Sequence, residues 1–165
     1  MTKLICTLFL LFLPCFFADI AFANDGGSGL PVPRFATLKS DEVNVRTGPG
    51  TRYPIAWVYH RSGLPVEITE EFGYWRKIRD IEGAGGWVYK SMLDGRRSVM
   101  IKGKSSQMVL EDPDSESARI AKVEPTVIGK LLECKKDWCR VKIEDRKGWI
   151  KKSHLWGIYA DETVP

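Results

Sequence analysis

The protein is a chain of 165 residues, of which 44% are hydrophobic and 28% are charged. This length admits one ordinary domain or two very small ones and excludes a large multidomain protein. The formal net charge is +4 and the isoelectric point is about 8.9, which alone would allow an acidic partner of any kind. Residues 1–23 predict an export signal, and export excludes cytosolic nucleic acid as the natural binding partner.

Residues 1–23 predict a cleaved export signal. Lys3 supplies the positive start, residues 4–17 are largely apolar, and Ala21-Phe22-Ala23 forms an A-x-A cleavage site. The apolar run is shorter than the roughly 20 residues that span a bilayer, which favours a signal over a membrane anchor. A lipidated Cys15 is an alternative that the preceding proline disfavours. We therefore expect a periplasmic or secreted protein without a membrane span, whose residues 24–36 form a flexible leader rich in Gly and Pro.

An internal repeat organises the rest of the chain. Residues 75–93 are echoed by residues 138–155, with Trp75 matching Trp138 and the Gly-Trp-Val of 86–88 matching the Gly-Trp-Ile of 148–150. Each copy predicts a strand, a polar turn and a second strand. A unit of about 60 residues buries only about 60% of its unfolded surface. We expect an all-β fold in which the two copies pack together.

The repeat boundaries are predicted at 37–94 for repeat 1 and 98–157 for repeat 2, with 158–165 as a tail. In repeat 1 the alternating segment 43–46 predicts a strand with one buried face, and residues 47–50, Thr-Gly-Pro-Gly, interrupt it. Repeat 2 has Glu111-Asp112-Pro113-Asp114 near this place. Further on, Ile120-Ala121 is interpreted as the match of Ile55-Ala56.

The segment 44–55, NVRTGPGTRYPI, followed by Trp75 and by Gly86-Trp87-Val88, resembles a bacterial SH3 (SH3b) domain. More narrowly, the chain is similar to exported two-repeat SH3-like proteins of Gram-negative bacteria. The resemblance implies two tandem small SH3-like β-barrels packed together. It also implies a non-catalytic envelope module that recognises cell-wall (peptidoglycan) peptide or an envelope protein. The alternative is a structural or assembly protein docked permanently on a periplasmic partner, and a third possibility is a cell-wall hydrolase.

SH3-type domains bind peptides in an aromatic-lined groove beside the first long loop. Arg46 could grip a ligand carboxylate in bidentate fashion, and Tyr53 or Trp57 could supply flat contact area. Since only repeat 1 keeps the Gly-Pro-Gly loop, we expect it to carry any specific site. Local bracing of the loop by Asn44 and Arg46, and burial of the tryptophans in the core, remain the alternatives. The candidate ligand-binding residues are Asn44, Arg46, Tyr53, Trp57, Trp75 and Tyr89.

The charge is uneven along the chain. Residues 24–94 carry nine basic and nine acidic side chains, whereas residues 95–165 carry 15 basic and 11 acidic ones. Lys151 and Lys152 are the predicted basic face, which would add salt-sensitive attraction to anionic envelope components. The alternative is a lysine-rich surface that keeps the protein soluble and protects edge strands.

Two cysteines remain after the predicted signal, Cys134 and Cys139. An oxidising compartment favours a disulfide, and a turn at Lys136-Asp137 would place the two directly opposite each other on adjacent strands. A redox-active pair is the weaker alternative. Repeat 1 has Glu71 and Arg76 at the equivalent places, where a cross-strand ion pair is expected.

No catalytic, cofactor or metal site is predicted. His60 and His154 are the only histidines, and no further soft ligands accompany them or the cysteines. The carboxylates are scattered over turns, whereas a glycosidase needs two that flank a cleft. The sequence thus favours a binding protein over an enzyme.

Overall fold

The computed structural model describes residues 26–165, so the predicted signal 1–23 lies outside the described residues. The described chain is all-β, as predicted, apart from two short 3-10 turns at Lys90–Met92 and Lys152–His154. Its strands form two sheets of seven strands each, one per repeat. No helix of this part is long and apolar enough to cross a membrane.

The two sheets have the same strand order. Repeat 1 is ordered β3-β2-β6-β5-β4-β1-β7, and repeat 2 is ordered β10-β9-β13-β12-β11-β8-β14. Repeat 1 consists of β1 (Arg34–Leu38), β2 (Val43–Arg46), β3 (Ile55–Tyr59), β4 (Pro65–Phe72), β5 (Trp75–Arg79), β6 (Gly85–Tyr89) and β7 (Leu93–Asp94). Repeat 2 consists of β8 (Ser98–Ile101), β9 (Gln107–Leu110), β10 (Arg119–Val123), β11 (Ile128–Lys135), β12 (Trp138–Ile143), β13 (Arg146–Lys151) and β14 (Leu155–Trp156).

Each repeat has its own hydrophobic core, built from the inward-facing residues of its strands. Val45, Val66 and Val88 have no exposed surface in repeat 1. Val141 and Ile150 are 1% exposed in repeat 2. The alternation of buried and exposed side chains along β2 and β12 follows from the period of two in a strand.

The two repeats contact each other through polar and aromatic side chains. The indole Nε1 of Trp156 donates a hydrogen bond to the carbonyl oxygen of Pro65 at 3.0 Å. The hydroxyls of Thr37 and Ser98 are 2.9 Å apart and buried. The ring of Phe35 lies 4.9 Å from the ring of Trp156, edge to face. These contacts pack the copies together.

The described part of the leader, residues 26–36, and the tail are both fixed to the repeats, whereas the sequence predicted a flexible leader. β1 begins at Arg34, inside the predicted leader, and the Ser28 backbone N–H and hydroxyl donate to the carboxylate of Glu71, each at 2.7 Å. In the tail, Ile158 is 8% exposed and belongs to the core of repeat 2. Val164 forms an isolated β-bridge with Cys134. Backbone pairing and the partly buried carboxylate of Glu71 therefore hold both segments against the repeats, including a leader whose composition predicts flexibility.

The match between Ile120-Ala121 and Ile55-Ala56 is wrong by one residue. Val45 pairs with Trp57 in repeat 1, and Val109 pairs with Ala121 in repeat 2. A register irregularity lies beside each pair, and a bulge of this kind offsets the side-chain pattern. Ala121 therefore occupies the place of Trp57.

The predicted disulfide is confirmed. Cys134 pairs with Cys139 and Lys135 with Trp138 across β11 and β12, and the two sulfur atoms are bonded. Lys136, in the predicted turn, has a φ of 45°. Cross-strand register was therefore sufficient to place the bond.

Candidate binding surface on repeat 1

The Gly-Pro-Gly loop of repeat 1 is held by two of the predicted ligand-binding residues. Nη1 of Arg46 donates to the carbonyl oxygens of Tyr53 at 2.7 Å and of Thr51 at 3.2 Å. The ring of Tyr53 covers Gly48 so closely that a Cβ on that glycine would lie 2.5 Å from it. Arg46 and Tyr53 thus brace the loop, the alternative that the sequence left open for Arg46.

Trp57 belongs to the core side of repeat 1. It is half-buried, packs against the hydrophobic core, and contacts Tyr59 edge to face at 6.3 Å. The hydroxyl of Tyr59 donates to Oδ2 of Asp80 at 2.7 Å. Burial is the largest cause, and this hydrogen bond the second, of a pKa of Tyr59 well above its ordinary value. Asn44 is exposed on β2, opposite Val58.

Trp75 and Tyr89 form the one part of the candidate set that the structure brings together at the surface. They face each other across β5 and β6, with ring centroids 5.5 Å apart. Phe72 pairs with Trp75 across the β4–β5 hairpin, and Tyr74 lies 6.1 Å from Tyr89. We call Phe72, Tyr74, Trp75 and Tyr89 the aromatic patch.

The aromatic patch is exposed to solvent. Phe72 is 56% exposed, Tyr74 54% and Tyr89 39%. The ammonium of Lys90 lies 4.5 Å from the ring centroid of Tyr74. Phe72 and Tyr74 were not among the residues predicted from the sequence, although their position on either side of Gly73, in a hairpin turn, indicated exposure. A cluster of large exposed aromatic rings next to a cation is a common feature of recognition surfaces.

Repeat 2 carries charged residues where repeat 1 carries the aromatic patch. Trp138 takes the place of Trp75, and its cross-strand neighbours are Lys135 and Lys151. These replace Phe72 and Tyr89. The ammonium of Lys151 lies 5.4 Å from the ring centroid of Trp138. The same hairpin thus presents an aromatic surface in one repeat and a basic one in the other.

The two lysines of the predicted basic face do not share a surface. Lys151 is exposed, but Lys152 is 7% exposed. The ammonium of Lys152 donates to the carbonyl oxygens of Glu162 at 2.6 Å and of Ala160 at 3.3 Å. The prediction that Lys152 belongs to an exposed basic face is therefore wrong, because its ammonium is buried and bound to carbonyl oxygens of the tail.

The acidic residues of β4 have separate partners. Glu67 accepts hydrogen bonds from Arg79 and from the Tyr159 hydroxyl. Glu70 pairs with Lys77 at 2.7 Å, and Glu71 pairs with Arg76 at 2.9 Å. Among residues 26–165, no group of three or more His, Cys, Asp or Glu side chains is placed to hold a metal ion.

Two stretches of the chain, residues 39–95 and 103–157, match the model of the bacterial SH3 domain. They cover more than half of the chain, and the protein therefore belongs to the bacterial SH3 domain family, as the resemblance predicted.

The chain is 26% identical over 130 residues to a Bacillus subtilis (strain 168) protein named "Putative N-acetylmuramoyl-L-alanine amidase YrvJ". That match covers 73% of this chain and 25% of the Bacillus protein, so the chain spans about a quarter of this relative's length.

Alignment with solved structures gives low global similarity. NlpC2 from Trichomonas vaginalis aligns with a TM-score of 0.35 and 14% identity over 77% of this chain and 49% of its own. An NlpC/P60 family protein from Bacillus cereus ATCC 10987 aligns with a TM-score of 0.33 and 14% identity, over 79% of this chain and 58% of its own.

Proposed function

We propose that the protein is a non-catalytic binding module of the cell envelope that recognises cell-wall peptide or an envelope protein through repeat 1. The observation that carries this proposal is the exposed aromatic patch. Membership of the bacterial SH3 domain family supports it. So does the relative named as an N-acetylmuramoyl-L-alanine amidase, since that name refers to a bond between a cell-wall sugar and its peptide.

Aromatic rings left in water are a source of binding free energy when a ligand covers them. Burying apolar surface contributes about 25 cal/mol per Å², and Phe72 and Tyr74 expose more than half of their surface. Tyrosine and tryptophan lose little side-chain entropy on binding and are frequent energetic centres of interfaces. Lys90, beside Tyr74, could pair with a carboxylate of a cell-wall peptide. The patch can therefore bind a flat, partly anionic ligand.

The disulfide supports an oxidising location. Structural disulfides persist mainly in the periplasm and outside the cell, and Cys134–Cys139 is buried in repeat 2. A periplasmic or secreted location would provide both the oxidising conditions that the disulfide needs and access to the proposed cell-wall ligand.

The test is retention of the purified protein on peptidoglycan sacculi, with release by soluble muropeptides. We expect Tyr74→Ala combined with Tyr89→Ala to weaken retention by about tenfold or more, because each lost aromatic contact contributes about 0.5–1.5 kcal/mol. Ile55→Ala is the matched control, since Ile55 is a 46% exposed apolar residue of the same repeat outside the patch. Retention that is unchanged in the double variant would contradict the proposal.

The alternative of permanent docking on a periplasmic partner gives a different result in the same experiment. A permanently docked protein would not be retained on pure sacculi and would co-purify with one protein after crosslinking in cells. Release of soluble muropeptides by the purified chain alone would contradict the non-catalytic assignment.

A further inference from the structure

Repeat 2 lacks the large side chains that close the equivalent end of repeat 1. Ala121 occupies the place of Trp57, as the registers of β2–β3 and β9–β10 show. By the same registers, Val43 pairs with Tyr59 and Gln107 pairs with Val123, so that Val123 replaces Tyr59. An indole and a phenol in one repeat are therefore a methyl and an isopropyl group in the other.

The hydrogen bond that closes this region in repeat 1 is also missing from repeat 2. Ile78 pairs with Gly86 and Val141 with Gly148. In repeat 1, Asp80 lies two residues after Ile78 and accepts a hydrogen bond from the Tyr59 hydroxyl. In repeat 2 the equivalent residue, two positions after Val141, is Ile143, whose side chain cannot accept a hydrogen bond.

The result is a cavity of about 460 Å³ in repeat 2, open to the surface. This volume falls within the roughly 300–1,000 Å³ of ordinary ligand sites. The floor is apolar, and four charged side chains stand around the mouth. The floor consists of Val109, Ala121, Val123, Val127, Val141 and Ile143, and the mouth of Lys122, Glu124, Glu144 and Arg146.

One wall of the cavity is β10, which lies at the end of its sheet and has one edge without a neighbouring strand in the described chain. The exposed Arg119 and Lys122 project from β10. Nη1 of Arg146 donates to the carbonyl oxygen of Ile120 at 3.0 Å, which places a third cation beside the same strand. A free strand edge accepts an extended peptide through main-chain hydrogen bonds, and side-chain pockets beside it give selectivity.

We propose that repeat 2 binds an extended acidic segment of a partner protein, which pairs with the free edge of β10 and inserts one aromatic side chain into the cavity above Ala121. The aromatic class follows from repeat 1, where Trp57 and Tyr59 fill this region of the same frame. The acidic class follows from the charges beside β10, where Arg119, Lys122 and Arg146 outnumber the acidic residues Glu124 and Glu144. This site is separate from the aromatic patch and does not rest on the proposed function. It revises the expectation that repeat 2 contributes charge alone.

The test uses the chain from residue 24 onward, labelled with ¹⁵N, and a blocked peptide of alternating Glu and Thr with one central Trp. We expect amide shifts to change around residues 119–124 and 141–146. Replacing the Trp of the peptide by Ala should weaken binding by about tenfold or more, since the ring would otherwise be buried. Shift changes confined to repeat 1 would overturn the proposal, whatever the behaviour of the variants.

Variants of the protein separate the cavity from the strand edge. Ala121→Trp fills the cavity from within and should abolish binding of the Trp peptide. Ala56→Trp is the matched control, because Ala56 is exposed on β3, the edge strand of repeat 1. Undiminished binding by Ala121→Trp would contradict insertion into the cavity. Equal affinity for the peptide and for N-acetyltryptophanamide would contradict pairing along β10. Unchanged affinity after Arg119→Glu with Lys122→Glu would contradict the acidic class of the ligand.

Discussion

Glu71 and Arg76 face each other across the β4–β5 hairpin, and Oε1 of Glu71 lies 2.9 Å from Nε of Arg76. Cys134 and Cys139 occupy these places in repeat 2. The ion pair predicted from the register is confirmed. Glu71 has more partners than predicted, since it also accepts hydrogen bonds from Ser28 and Arg34.

The first prediction concerns acid stability. Burial alone would raise the pKa of Glu71, but hydrogen bonds from the Ser28 N–H, from Arg34 and from the Ser28 hydroxyl outweigh it and lower the pKa from 4.5 to about 2. A depressed folded-state pKa contributes stability above the unfolded value. That contribution is lost as the pH falls from 4.5 to about 2. Thermal melting across this range should show a steeper loss of stability for the native protein than for Glu71→Gln.

A matched variant separates this effect from general acid denaturation. Glu70→Gln removes a neighbouring carboxylate whose partner is the 43% exposed Lys77, and an exposed pair of this kind contributes about 0–1 kcal/mol. At neutral pH Glu71→Gln should destabilise the protein by about 3 kcal/mol, because Arg76 is left buried without a charged partner. Equal melting temperatures for the two variants would refute this reading of Glu71.

The second prediction concerns the disulfide. Non-reducing peptide mapping of the protein isolated without a reductant should show Cys134 linked to Cys139. Replacing both by serine should lower the free energy of unfolding by about 2 kcal/mol, because the closed loop is short and removes little entropy from the unfolded chain. Recovery of two alkylated thiols from protein that was never reduced would contradict the bond.

The third prediction is that the two repeats unfold as one unit. Tyr159 donates to Oε1 of Glu67 at 2.7 Å, and Glu67 is 2% exposed. Tyr159→Phe should therefore cost about 1–3 kcal/mol, because it leaves a buried carboxylate short of one donor. Calorimetry should still show a single transition, at a lower temperature.

Two measurements bound the third prediction. Tyr74→Phe removes an exposed hydroxyl in repeat 1 and should leave the melting temperature unchanged. Residues 24–96 alone should melt far below the whole chain, since they lack Trp156 and Tyr159. An isolated repeat 1 as stable as the whole protein, or two well-separated transitions, would count against one unit.

The fourth prediction separates two adjacent lysines. Lys152→Ala should lower the melting temperature by several degrees, because hydrogen bonds from a charged group contribute about 1.5–3 kcal/mol and Lys152 makes two to the tail. Lys151→Ala should leave the melting temperature unchanged and weaken retention on sacculi mainly at low salt. A surface role for both lysines would instead give two variants of equal stability.

Sequence patterns were sufficient where a local rule fixes the geometry. The period of two in β2, the repeated Gly-Trp and the register around Cys134 predicted the strands, the duplication and the disulfide. The candidate groove was less predictable, because the face on which Trp57 lies depends on a bulge that shifts the pattern by one residue. The burial of Lys152 depends on hydrogen bonds to carbonyl groups of the tail, and no local sequence pattern predicts these contacts.

The contacts of Phe35, Trp156 and Tyr159 also set a distance. With the repeats held together, the aromatic patch and the cavity above Ala121 keep a fixed separation. A partner that carries a ligand for each would bind the second site at an effective concentration set by its own spacer. A spacer too short to reach both sites would gain nothing, so for such a partner the contacts between the repeats would determine which spacer lengths increase the affinity.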